Sequence, residues 1–98
     1  MGSKTIITIL QRNRKATALK VQEILTKYGD NIKVRLGLND VDKDHFSDEG
    51  LIILHLCGHD EETDRLEKEL NSIEGVKAKK IILSYSDEVE QFTQNIEV

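Results

Sequence analysis

Two rhythms alternate along this chain. KTIITIL, residues 4–10, is dense in β-branched side chains and predicts a strand. From Arg14 to Tyr28 the spacing changes. Ala18, Val21, Leu25 and Tyr28 recur at steps of three and four, with Ile24 beside them, as one helix face requires. Asn13 stands where an N-cap belongs, and Gly29 where a C′ residue ends the helix. IKVRLGL (32–38) returns to strict alternation, and LIILHLC (51–57) predicts a third strand. Gly58 breaks that strand and Asp60 is placed to cap a second helix. Glu61 and Glu62 suit the positive end of its dipole. Leu66, Leu70 and Ile73 form its stripe, Gly75 closes it, and VKAKKIILSY (76–85) is the fourth strand.

The order β-α-β-β-α-β predicts an α+β, ferredoxin-like sandwich: a four-stranded antiparallel sheet with two helices on one face. Residues 1–85 form this single domain, and 86–98 form an acidic C-terminal tail. In the tail Val89, Phe92 and Ile96 have helical spacing, so a short docked helix and disorder are both open. In the third strand Ile52, Leu54 and Leu56 make one row and Ile53, His55 and Cys57 the other. Matching rows assigns Ile32, Val34, Leu36 and Leu38 of the second strand to the helices, beside Ile52, Leu54 and Leu56. Arg35 and Gly37 then face the open side. That side also receives Ile53, His55, Cys57 and some of Ile6, Leu10, Ile81 and Leu83. A patch this apolar is seldom left in water, so a homo-oligomer, dimer or tetramer, is expected.

Composition narrows the picture. Only 4% of the 98 residues are aromatic, so Ile, Leu and Val must supply the core. The net charge is −4. The tail contributes Asp87, Glu88, Glu90 and Glu97 with no Lys or Arg, so the remainder is neutral. That balance argues against direct DNA binding. One cysteine cannot close an intramolecular disulfide, which fits a reducing cytoplasm. Apolar runs fall far short of the roughly 20 residues a membrane span needs. The start, MGSKTIITIL, lacks the apolar region and cleavage site of a secretion signal.

Three stretches invite chemistry. HLCGH places His55, Cys57 and His59 within five residues. His55 and Cys57 share a strand face about 6.5 Å apart, close enough for one ion. Imidazole and thiolate together suit a transition metal such as Zn, Ni or Cu, with His45 as a further ligand. The bland alternative makes Cys57 a small apolar filler. DVDKDHFSDEGL copies the opening of a calcium loop, but has His45 where Gly is needed and Leu51 where Glu is needed. No Gly-rich phosphate loop, nucleophile elbow or HExxH is present, so no enzyme is expected.

The runs ITILQRNRKATALKVQEILTKYGDNIKVRLGL and GLIILHLCGHDEETDRLEKELNSIEGVKAKKIIL resemble small regulators associated with iron-only hydrogenase systems. IKVRLGL and LNSIEGVKAKKIIL carry the likeness, which covers residues 4–84. Those regulators look like relatives of ACT domains and of the C-terminal domain of nickel-responsive repressors. The resemblance implies a cytoplasmic, oligomeric module that senses a small effector. In ACT-like domains effectors bind near the connection after the first strand. Here that is Gln11, Arg12, Asn13 and Arg14, and a helix start favours anions. Arg35 and Gly37 complete the expected effector set: Asn13, Arg14, Arg35 and Gly37. The plain alternatives are a helix cap for Asn13 and a snorkelling surface residue for Arg35. The sequence thus supports three roles: an effector-binding regulator, a metal sensor using His55, Cys57, His59 and His45, or a ligand-free interaction module.

Overall fold

The computed structural model describes residues 3–39, 49–58 and 61–85. Its elements are β1 (Lys4–Gln11), α1 (Arg14–Lys27), a 3-10 turn (Gly29–Asn31), β2 (Ile32–Asn39), β3 (Gly50–Leu56), α2 (Glu61–Asn71) and β4 (Val76–Leu83). The sheet is four-stranded in the order β2-β3-β1-β4, with every neighbouring pair antiparallel. Both helices cover one face, giving the ferredoxin-like sandwich. His45, His59, the proposed cap Asp60, the acidic stretch 40–48 and the tail 86–98 lie outside the described residues.

Alternation explains the core. On β1, Ile7 and Ile9 point to the helices, and on β3 Ile52, Leu54 and Leu56 do the same. They meet Val21, Leu25 and Tyr28 of the first helical segment and Leu66, Leu70 and Ile73 of the second. Fully burying each Leu or Ile contributes about 1.5–3 kcal/mol, so this layer holds the fold. Thr17, not Ala18, is the buried residue at the head of the α1 stripe. Gly29 starts the 3-10 turn rather than adopting a left-handed cap. Gly75 does turn left-handed, at φ 88. A Cβ there would lie 3.1 Å from the Arg12 carbonyl oxygen, and the Arg12 N–H donates to the Gly75 carbonyl at 2.7 Å.

β2 departs from the expected facing. Its register runs from Ile32 opposite Leu56 to Val34 opposite His55, so an irregularity falls at Lys33. An extra residue in one strand of a pair reverses which side chains face the core. Ile32 therefore packs on the core, while Val34, Leu36 and Leu38 turn to the open face, 44–54% exposed. Arg35 and Gly37 turn to the helix side, opposite Leu54 and Ile52. Both assignments read from the alternation of β2 are thereby inverted.

The helices are fastened to each other at one end. The Tyr28 hydroxyl donates to a Glu69 carboxylate oxygen, and Lys27 Nζ pairs with the same carboxylate at 3.1 Å. The Glu69 hydrogen bond, with burial, pushes the Tyr28 hydroxyl up to about 12. The Tyr28 and Lys27 hydrogen bonds hold the Glu69 carboxyl below its ordinary value.

Candidate functional site

The inverted β2 builds a cavity that strict alternation would not. Arg35 and Gly37, on the helix side, form one wall of a space of about 210 Å³ between α1 and the β2–β3 sheet. Gln11, Arg14 and Gln22 line it from β1 and α1, and Ala18, Val21 and Ile52 supply apolar surface on the helix side. Among the described residues no acidic side chain lines it. Two guanidinium groups over an apolar floor favour a small anion with an apolar body. Arg35 Nη2 donates to Gln22 Oε1 at 2.7 Å. That uses one of the five N–H donors of a guanidinium, so capacity remains for a ligand.

Local sequence sets this geometry. Asn13 takes a left-handed conformation, φ 53 and ψ 54, which Asn tolerates better than most residues. Its carbonyl accepts from the Ala16 and Thr17 N–H groups at 2.8 and 3.1 Å, so the backbone starts the helix and the side chain does not cap it. Asn13 shapes the turn that delivers Arg14 and does not line the cavity. Gln11 is 97% buried by its 3% exposure, and its Nε2 donates to Thr17 Oγ1 at 3.3 Å. Gly50 opens β3 with no side chain. A Cβ there would stand 3.2 Å from Arg14 Cδ and 3.6 Å from Gln11 Oε1.

Of the expected effector set, the cavity gathers Arg14, Arg35 and Gly37 and leaves Asn13 outside. Gln22 and Gly50 were not singled out from the sequence. Gln22 had a signal, since it follows Arg14 and Ala18 at steps of four along one helix face. A larger space of about 360 Å³ lies at the same end of the sheet beside β4. Arg12 and Lys77 share it with Glu49 and Glu74, so charges of both signs meet there and an anion gains little.

The metal candidates fare differently. His55 and Cys57 are both half-buried, and His55 stands opposite Val34 and Ile6 on the open face. Among the described residues no three His, Cys, Asp or Glu side chains gather closely enough to hold an ion. His45 and His59 lie outside the described residues.

Known structures share this architecture. The uncharacterized protein TM1266 of Thermotoga maritima superposes with a TM-score of 0.73 at 24% identity, over 85% of this chain and 100% of that one. The ACT domain of a GTP pyrophosphokinase from Chlorobium tepidum gives 0.59 at 15% identity, over 83% and 89%. CPII, a nitrogen regulatory PII-like protein of Thiomonas intermedia K12 bound to ADP, AMP and bicarbonate, gives 0.54 at 13% identity, over 87% and 94%. The class so defined is the ACT-like and PII-like ferredoxin fold. No family model matches the sequence, and no curated protein does. Among the described residues no helix is long and apolar enough to cross a membrane.

Proposed function

We propose that this chain is a small, non-enzymatic regulatory domain that binds a small anionic effector in the cavity between α1 and β2. The observation that carries the reading is the meeting of Arg14 and Arg35 over an apolar floor, with no acidic side chain among the described residues of the lining. Gln11 and Gln22 add hydrogen-bonding groups at fixed positions, which orient a ligand more than they attract it. The likeness to an ACT domain and to a nucleotide-bound PII-like protein supports a sensing role. The cavity is smaller than the 300–1,000 Å³ typical of ligand pockets, so the effector, or the part of it held here, is small.

The open sheet face, with Leu10, Val34, Leu36, Leu38, Ile81 and Leu83 all at least 40% exposed, is the surface through which copies associate. Effector binding at one side of the sheet and association at the other gives a route from ligand to assembly state. The sequence resemblance directs the module to the cytoplasm and to an iron-only hydrogenase system, acting through a partner rather than on DNA.

Thermal unfolding against bicarbonate, short-chain carboxylates, ADP and AMP tests the site, because a ligand preferring the folded state raises the melting point. At least one of these anions raises it in the native chain, and the rise disappears in Arg35→Ala and Arg14→Ala. An increase that survives both substitutions places binding elsewhere.

A further inference from the structure

One side chain of the cavity is held in a single orientation. Gln11 is buried, and its Nε2 donates to Thr17 Oγ1 at 3.3 Å. The Thr17 hydroxyl has one proton, and it reaches two backbone carbonyl oxygens, Asn13 at 3.2 Å and Arg12 at 3.4 Å. A carbonyl only accepts, so the proton is committed to the backbone and the lone pairs of Oγ1 face Gln11. Only the NH2 end of the Gln11 amide can use a lone pair. A flipped amide would set its carbonyl oxygen against the hydroxyl oxygen, acceptor against acceptor.

Thr17 therefore fixes where Gln11 Oε1 points. That oxygen lies 3.6 Å from where a Gly50 Cβ would stand, and Arg14 Cδ lies 3.2 Å from the same point. Gln11, Arg14 and Gly50 all line the cavity between α1 and β2. A side-chain carbonyl with two lone pairs is thus held next to the arm of Arg14, at a place kept clear because Gly50 has no side chain.

We infer that the effector is an oxyanion with a hydroxyl group next to its charge, a 2-hydroxycarboxylate in the simplest form, selected by Gln11 with Thr17 as the positioning residue. This rests on the proposed function and narrows its ligand. The guanidinium groups of Arg14 and Arg35 only donate, and they take the carboxylate. Gln11 Oε1 only accepts, so it opposes a further anionic oxygen and favours a donor. An ammonium group placed there would meet two guanidinium groups and, among the described residues of the lining, no acid. A neutral hydroxyl donates without that repulsion. A ligand with no donor leaves the amide oxygen without the hydrogen bond it had to water, so the site rejects it as well as failing to attract it. The space of about 210 Å³ keeps the carbon skeleton short.

The test is calorimetric titration of the full chain with glycolate, acetate and glycine, which share a carboxylate and differ in one group: hydroxyl, hydrogen or ammonium. Glycolate should bind at least about tenfold more tightly than acetate, as one net hydrogen bond gives, and more tightly than glycine. Thr17→Val releases the amide and should bring the glycolate-to-acetate ratio below about threefold, while Thr17→Ser keeps the hydroxyl and the ratio. A merely structural role for Thr17 would move both affinities together. Gln11→Leu should also level the two ligands, and if that buried change prevents folding the Thr17 pair decides. Equal affinity for glycolate and acetate, tighter binding of glycine, or a ratio that Thr17→Val leaves intact each overturns the inference. Equal affinities that both vanish in Arg35→Ala leave the effector site standing without this selectivity. Absence of binding by all three also overturns it, and a melting shift with another anion then shows that the effector site itself stands.

Discussion

β2 and β4 are both eight-residue outer strands of one sheet, yet they meet solvent in opposite ways. β4 is held by α2: Asn71 and Glu67 occupy its outward backbone, and Lys80 pairs with Asp64. Among the described residues no side chain bonds to the outer backbone of β2, and its apolar row is turned away from the helices. The same contrast runs through the cavities, mixed in charge beside β4 and basic over an apolar floor beside β2. An edge sealed by side chains serves stability. A strand whose neighbouring cavity carries, among the described residues, charges of one sign is where a ligand has something to gain.

The largest perturbation breaks the frame both edges share. Leu54 is fully buried on β3, between β2 and β1, and Leu54→Ala should cost about 3 kcal/mol in chemical denaturation. Next, Tyr28→Phe removes the hydroxyl that fastens α1 to α2 and should cost about 1.5 kcal/mol. Its pH signature is two-sided. Glu69 is held below its ordinary value, so its contribution is present above the ordinary carboxylate range and lost as pH falls through its lowered value. Tyr28 is raised from 10.0 to about 12, so its contribution is whole below pH 10 and disappears between there and about 12. Stability measured against pH should flatten in both windows in Tyr28→Phe.

Asn71→Ala sharpens the comparison. It uncovers a donor and an acceptor on β4 and should cost about 1 kcal/mol, while making β4 competent to pair, seen as added self-association by light scattering. Smallest in stability is Arg35→Ala. An exposed side chain bonded, among the described residues, to Gln22 alone should change unfolding by less than about 0.5 kcal/mol, yet abolish the anion-dependent melting shift.

Period and punctuation were enough to read the fold from the sequence. β3 alternates without interruption, and its row Ile52, Leu54, Leu56 is the buried one. α2 carries its stripe at Leu66 and Leu70 with acidic residues in its first turn. β2 alternates as cleanly in sequence and still faces the other way, because one irregular residue at Lys33 reverses every side chain after it. A bulge leaves little trace in a hydrophobic pattern, since the strand alternates on both sides of it. The same event hid the site. Arg35 and Gly37 were legible as candidates, but their position over α1 follows from the bulge. Gln22 and Gly50 become visible only once helix and sheet are brought together. Asn13 was legible as a helix start and not as a left-handed one.

Backbone amide hydrogen exchange, followed residue by residue with and without the anion that raises the melting point, tests the difference between the two sides of the sheet most directly. Protection of α1 and β2 amides around Gln22 and Arg35 should rise with the anion, while Ala78 and Lys80 of β4 stay equally protected in both states. Equal protection around Gln22 and Arg35 in the two states, or a rise confined to β4, would contradict the account.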